Sequence, residues 1–330
     1  MKSFRKKTGL VLGCASLLVA GLLVLFALFS PRQPEKTIAP VPKPKPAAPV
    51  SVPAAPEKID AQKIRLKILG RSTQNRPIES YIFGDGETLL VFAGGIHGGY
   101  EWNSVLLAYQ LVDYLRMNPK AMPPNLTVAV MPVINPDGLY KITGKSGRFS
   151  IADVPDGSNS SGRLNANGVD LNRNFGCNWK ADAVWQGNNV GAGAAPFSEP
   201  ESVAIKNFVL ENKPAAVIIW HSKSGTVYGS GCGKDMLGET ADILNAYAKT
   251  AGYAAAPTFD QYAISGDASD WLASIGIPAI TVELATHESI EWEKNLAGVQ
   301  AIFKYFEKSG FKNQSLYFKR LVLESAINKR

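Results

Sequence analysis

The sequence predicts an α/β fold with a mixed, largely parallel central sheet and helices on both faces. Apolar runs typical of buried strands occur at residues 89–93, 128–134, 215–220 and 279–284. Between them lie segments with apolar residues at helical spacing, of which residues 102–117 form the clearest example. Strands that alternate with helices favour a sheet covered by helices. Two further segments, residues 64–69 and 79–83, are predicted as edge strands.

The first part of the 330-residue chain differs from the rest. A basic tip precedes an uncharged apolar run at residues 9–29, so residues 1–30 are predicted to form a transmembrane signal anchor. At about 1.5 Å per residue, this run is long enough to cross a hydrocarbon core of roughly 30 Å. Residues 31–58 are rich in Pro, Ala and Lys, which predicts an extended tether. One large globular domain is predicted over residues 59–330.

Charge indicates how the anchor is oriented. The basic residues before the apolar run place the N-terminus in the cytoplasm and the globular domain outside it, in the periplasm or its equivalent. The formal net charge is +7, and much of the excess lies in the first fifty residues. Because the globular part contains no dense run of Lys and Arg, binding to nucleic acid is not predicted.

The chain contains three histidines, and two of them follow predicted strands. His97 lies in the Gly-rich turn after residues 89–93, and His221 follows residues 215–220 directly. Strand carboxyl ends are where α/β sheets bind ligands. Together with Glu101, these side chains match the His₂Glu set of catalytic zinc sites. A lone histidine there is more often a hydrogen-bonded structural residue, and the remaining one, His287, is interpreted as a helix-start or surface residue.

Glu283 ends the predicted strand at residues 279–284. A carboxylate at the end of a buried strand is costly unless it is paired or functional. One interpretation is a salt bridge to Arg163 or Arg173. The other is a general base, which would take a proton from a zinc-activated water. Arg173, beside Asn172 in a polar loop, could bind a carboxylate, although a surface salt bridge is the usual interpretation.

Taken together, these segments resemble the zinc metallocarboxypeptidase family, the class of carboxypeptidases A and B. The matching blocks, in the family's order, are GIHGGYEW, PVINPDG, RLNANGVDLNRNF, FSEPES, WHSKSG, YAISGDASDW and TVEL. They extend from about residue 96 to residue 306. The resemblance implies one bound Zn²⁺ and hydrolysis of the C-terminal bond of a peptide with a free C-terminus.

The resemblance also implies roles for the matching residues. It makes Glu283 the general base and Arg163 the group that stabilises the oxyanion. Asp170, which is not itself a metal ligand, would orient the side chain of His97. The implied zinc ligands are His97, Glu101 and His221, and the implied carboxylate clamp on the substrate is Asn172, Arg173 and Tyr262.

Three features of the sequence bear on how far the family's pattern applies: one spacing and two residues of the specificity pocket. Three residues separate His97 from Glu101, where the family usually has two, and the glycines between them predict a local bulge. Ser269 occupies the position that helps to set side-chain preference, and as a neutral residue it gives none for basic substrates. Asp267 could meet an ammonium group, but a solvated loop acid is the favoured interpretation.

The two cysteines of the globular part, Cys177 and Cys232, follow the NRNF and WHSKSG blocks. A disulfide between them is therefore predicted for an exported protein. Two alternatives to a carboxypeptidase remain open. One is a murein (cell-wall) peptide hydrolase of the same family. The other is an inactive binding module that keeps the fold, supported only by the longer ligand spacing.

Overall fold

A computed structural model describes residues 64–157 and 160–309, which are built around an eight-stranded sheet. The strands are β1 (Arg65–Arg71), β2 (Pro77–Phe83), β3 (Thr88–Ala93), β4 (Leu126–Met131), β5 (Val184–Trp185), β6 (Asn188–Asn189), β7 (Ala216–Ser222), β8 (Thr226–Tyr228), β9 (Ala254–Ala256) and β10 (Ala279–Leu284). The sheet order is β1-β2-β4-β3-β7-β10-β8-β9, while β5 and β6 pair separately.

The central strands β4, β3, β7 and β10 pair in parallel. The sheet is mixed because β1, β2 and β8 also join antiparallel neighbours. This arrangement confirms the predicted mixed, largely parallel sheet. The carboxyl ends of parallel strands lie at one edge, so the register brings Glu283 opposite His221 there.

Six α-helices flank the sheet within the described residues. They are α1 (Trp102–Met117), α2 (Pro136–Thr143), α3 (Pro200–Asn212), α4 (Gly238–Ala251), α5 (Ala268–Ser274) and α6 (Trp292–Ser309). Side chains alternate in direction along β3. Leu90 and Phe92 pack in one core with residues of α1, α4 and α6. Val91 and Ala93 pack in another with residues of α3 and α5. Helices therefore cover both faces, which explains why these strands are apolar throughout.

The edge-strand prediction is right for β1 and wrong for β2. β2 lies between β1 and β4, and the opposite edge of the sheet is β9. Local sequence patterns do not show which strands pair. β4 pairs with β3, which precedes it in the chain, and also with β2, and the second pairing places β2 inside the sheet. The short strands β8 and β9 have too few residues to produce a recognisable periodicity.

The predicted signal anchor and tether lie outside the described residues, so their structure and orientation stay predictions. In the part of the chain that the structure describes, every helix is too short or too polar to cross a membrane.

Candidate active site

The three predicted metal ligands meet at the carboxyl edge of the sheet. His97 and Glu101 come from the turn after β3, and His221 comes from the end of β7. One ligand atom of each residue lies within 4.8 Å of the others, and all three residues are buried. Nδ1 of His97 is 2.7 Å from Oε1 of Glu101, and Nδ1 of His221 is 3.2 Å from Oε2. A single carboxylate therefore contacts both rings of this His–Glu–His cluster.

The extra residue between His97 and Glu101 is accommodated by a helical turn. Gly98–Glu101 forms one turn of 3-10 helix that leads directly into α1. Gly98 has a φ of +48°, and a Cβ there would lie 2.7 Å from the backbone of Gly138. Glycine is needed for both reasons. The predicted bulge is thus a 3-10 turn, which returns the Glu101 carboxylate to His97.

The cluster's chemistry fits a zinc ion. Two imidazoles and one carboxylate are the protein ligands of several catalytic zinc sites. Both histidines direct Nδ1 towards the shared carboxylate. Behind the cluster, Nε2 of His97 lies 3.4 Å from Oδ1 of Asp170, where the sequence places an orienting carboxylate.

Electrostatics within the cluster also favour a cation. Burial alone would raise the pKa of Glu101, but His97 and His221 outweigh that effect and hold the pKa below its usual value. Burial alone would lower the pKa of His221, but Glu101 raises it on balance. The carboxylate therefore stays ionised in a buried site, where its charge attracts a metal ion.

Arg163 is buried beside the cluster. Its Nε donates to Oδ2 of Asp170 at 2.8 Å. Its Nη1 lies 3.1 Å from Nδ1 of His97 and 3.7 Å from Oε1 of Glu101. The guanidinium also stacks on Trp185, 4.5 Å from the ring centroid. The Arg163 guanidinium therefore lies beside the cluster, and the residue lines the same cavity.

Glu283 lines the same cavity. Among the described residues, the salt bridges of Arg163 go to Asp170 and Glu101, and Arg173 bonds to backbone carbonyls. Neither arginine therefore forms the salt bridge considered for Glu283 within the described residues. Burial, reinforced by the charge of Glu101, raises the pKa of Glu283 to about 7. A carboxylate with such a pKa is suited to accept a proton near neutral pH.

Arg173 places an unsatisfied donor in the cavity wall. Nη1 donates to the carbonyl of Asn172 at 2.8 Å, and Nε to that of Val184 at 3.1 Å. Nη2 is buried and has no hydrogen-bond partner within the described residues. Burial raises the pKa of Tyr262, but the positive charges of Arg163 and Arg173 and a hydrogen-bonding interaction with the Arg173 side chain oppose this effect. The predicted carboxylate clamp therefore contains a buried Arg173 donor that has no hydrogen-bond partner among the described residues.

Asp267 is not the solvated loop acid that the sequence favours. It is only 8% exposed and lines a cavity of about 340 Å³ together with Ser269 and Asp270. It is buried because it caps α5, accepting from the backbone N–H of Asp270, and because it accepts from Nδ2 of Asn172 at 2.8 Å. Burial and the charge of Asp267 raise the pKa of Asp270. Two acids thus face one cavity wall.

The predicted disulfide between Cys177 and Cys232 is confirmed. It links the segment after Arg173 to the loop after β8. The backbone N–H groups of Gly231 and Cys232 in that loop both donate to Oδ1 of Asp270 at 3.1 Å. The bond therefore connects the segment that follows the clamp residue Arg173 to the loop that holds Asp270 in place.

The interpretation of His287 as a helix-start or surface residue is wrong. It is 5% exposed and lines the cavity, because the chain after β10 folds back over Ser222 and Tyr100. Tyr100 and Trp185 form the adjoining aromatic wall, with ring centroids 5.3 Å apart, and no pattern in the sequence indicates this wall. The scarcity of histidine was the signal available for His287: all three in the chain lie in this site.

The fold and the donor set are those of a zinc-dependent hydrolase. The sequence profile of the zinc carboxypeptidase family matches residues 58–309. The chain therefore belongs to the zinc carboxypeptidase family, as the sequence predicts. That family uses one zinc ion, which confirms the predicted cofactor.

Individual relatives have several activities. The chain is 26% identical over 246 residues to gamma-D-glutamyl-L-diamino acid endopeptidase 1 of Lysinibacillus sphaericus, covering 66% of this chain and 60% of that protein. It is 40% identical over 77 residues to murein peptide amidase A of Escherichia coli K12, covering 20% of this chain and 32% of that one. The chain thus spans 60% or less of the length of these two relatives.

Solved structures show the same fold. Carboxypeptidase A of Helicoverpa armigera matches with a TM-score of 0.61 and 21% identity, covering 75% of this chain and 69% of that one. Murein-tripeptide amidase of Escherichia coli O157 matches with a TM-score of 0.53 and 23% identity, covering 76% and 95%.

Proposed function

We propose that this protein is a zinc-dependent carboxypeptidase that removes the C-terminal residue of a peptide. The observation that carries the proposal is Arg173, which lines the cavity that contains the His–Glu–His cluster and whose buried Nη2 has no partner within the described residues. A buried charged donor without a partner is unfavourable. A substrate carboxylate would satisfy it and would place the last peptide bond in the cavity.

The residues around the cluster supply the remaining chemistry. A zinc ion bound by His97, Glu101 and His221 would polarise the scissile carbonyl and make water a stronger nucleophile. Glu283, with its raised pKa, accepts the proton of the attacking water and passes it to the leaving amine. Arg163 donates hydrogen bonds to the oxygen that gains negative charge.

Replacing Arg173 with methionine is expected to lower kcat/KM for a peptide with a free C-terminus by about 10- to 100-fold, the range for a hydrogen bond to a charged group. The wild type should cleave the C-terminally amidated peptide poorly, and the variant should discriminate little between the two forms. Steady-state kinetics with the matched peptides measure this. Equal cleavage of both forms by the wild type would contradict exopeptidase action.

A second candidate function follows from the two acids in the cavity wall. We propose that the residue released is a diamino acid, whose ammonium group would face Asp267 and Asp270 while its carboxylate meets Arg173. Both acids are at least partly shielded from solvent, and the pKa of Asp270 is raised. A nearby cation would lower that pKa and stabilise the ionised carboxylate. Two relatives are named for diamino acid and murein peptide substrates. Cell-wall peptides are therefore the substrate class to compare with ordinary peptides.

Replacing Asp267 with asparagine is expected to remove a preference for a cationic C-terminal side chain. In the wild type, kcat/KM for a peptide ending in lysine should exceed that for its norleucine analogue by about 10- to 100-fold. The variant should bring this ratio close to one. Asp260→Asn is the matched control, because Asp260 is exposed and does not line the cavity.

Digestion of a purified muropeptide beside the lysine peptide, read by mass spectrometry, separates the two candidate functions. Preferential release of the diamino acid from the muropeptide would favour a cell-wall role. The third alternative, an inactive binding module, requires that neither is cleaved by zinc-loaded protein.

A further inference from the structure

His287 is the one histidine of the cavity to which the proposed chemistry gives no task. Its Nδ1 lies 2.8 Å from Oγ of Ser222, and its ring centroid is 4.7 Å from that of Tyr100. Its side chain lines the cavity although the residue is 5% exposed. The hydrogen bonds behind the ring determine which nitrogen carries the proton.

Asn103 sets the direction of these hydrogen bonds. Its Nδ2 donates to the carbonyls of Thr286 at 2.7 Å and Ser289 at 3.0 Å, so its amide orientation is fixed. Its Oδ1 must then be the acceptor for Oγ of Ser222, at 2.9 Å. A serine hydroxyl has one proton to donate. Because Ser222 gives that proton to Asn103, it can only accept from Nδ1 of His287.

The ring of His287 is therefore protonated on Nδ1. Burial lowers the pKa of His287, which favours the neutral ring. A neutral imidazole with its proton on Nδ1 has a lone pair on Nε2. Nε2 has no hydrogen-bond partner within the described residues, and it is not among the fully enclosed polar atoms that lack one. The residue thus offers a hydrogen-bond acceptor to the cavity.

Nε2 of His287 belongs to a different hydrogen-bonded group from the residues assigned to bind the C-terminal residue of the substrate. Asn172 and Asp267 are bonded to each other beside α5. His287 instead contacts Ser222, whose backbone N–H donates to Oε2 of Glu101 at 3.2 Å. If the clamp holds the C-terminal residue and the scissile carbonyl lies at the cluster, the acyl side of the substrate has the remaining part of the cavity.

We propose that Nε2 of His287 accepts a hydrogen bond from the amide N–H of the substrate residue on the acyl side of the scissile bond. This assignment rests on the proposed function. It makes His287 a specificity-determining residue that selects a substrate extended beyond two residues by an amide. Ser222 and Asn103 act through His287 by fixing its tautomer.

The test compares two substrates that differ in one hydrogen. N-acetyl-alanyl-lysine offers the amide N–H, and its analogue methylated on the alanine nitrogen does not. The wild type should prefer the N–H substrate in kcat/KM by about tenfold, as for one net hydrogen bond. His287→Phe keeps a ring beside Tyr100 but lacks the acceptor, so the N–H to N-methyl ratio should fall several-fold while zinc content stays unchanged.

Ser222→Ala provides a second variant. It removes the acceptor of the Nδ1–H group of His287 but keeps the ring. The preference for the N–H substrate should therefore fall only in part, and the change should appear in KM. An unchanged ratio in His287→Phe, or a wild type with no preference beyond that of the variant, would overturn the inference. Failure of the wild type to cleave either substrate would overturn the proposed function instead, because the inference concerns only the ratio between cleaved substrates.

Discussion

Replacing Glu283 with glutamine is expected to lower kcat by about 10²- to 10⁴-fold, the range for loss of a general acid–base group. The amide has nearly the same shape but cannot accept the proton of water. Zinc content should be unchanged, because Glu283 lies outside the His–Glu–His cluster. Turnover of the lysine peptide and metal analysis of the same preparation measure both outcomes.

Glu288→Gln is the matched control for this variant, since Glu288 is an exposed acid in the segment after β10. The pH dependence of the wild type provides a separate test. Its kcat/KM should fall as the pH falls through the pKa of Glu283, because the protonated carboxyl group cannot accept a proton. That pKa is about 7 without metal, and a bound cation favours the ionised form, so the midpoint should lie lower. Normal turnover by Glu283→Gln would exclude it as the base.

Replacing Glu101 with glutamine is expected to weaken zinc binding by more than about 100-fold. The variant keeps both imidazoles but loses the charge that contacts each of them. Asp170→Asn is the graded comparison, because loss of a carboxylate behind a ligand typically costs about 10- to 100-fold in affinity. Competition with a chromogenic chelator gives both affinities. Equal effects of the two substitutions would argue against Glu101 as a direct ligand.

The central sheet and the residues of the His–Glu–His cluster could both be predicted from the sequence, and for the same reason. Buried parallel strands are apolar throughout, and their carboxyl ends meet at one edge. The sequence therefore places His97 and His221 at the same edge, and the pairing of β3 with β7 brings them close together. The proposed roles of these residues, and of Arg163 and Glu283, remain predictions until the variants are measured.

The environments of His287 and Asp267 cannot be predicted from the local sequence, because they depend on contacts with residues distant in sequence. His287 is held by Ser222 and, through it, by Asn103, and Asp267 by Asn172. Local patterns around either residue resemble an ordinary polar loop. The structure shows that both loops line the cavity.

The disulfide divides the site into two parts that depend on different conditions. The His–Glu–His cluster is positioned by β3 and β7, whose pairing is non-covalent. The wall formed by Asp270 and the loop at Cys232 is tied by a bond that forms and persists under oxidising conditions. Reduction of the disulfide would therefore loosen the loop that holds Asp270, while the strands that carry the metal ligands would stay paired.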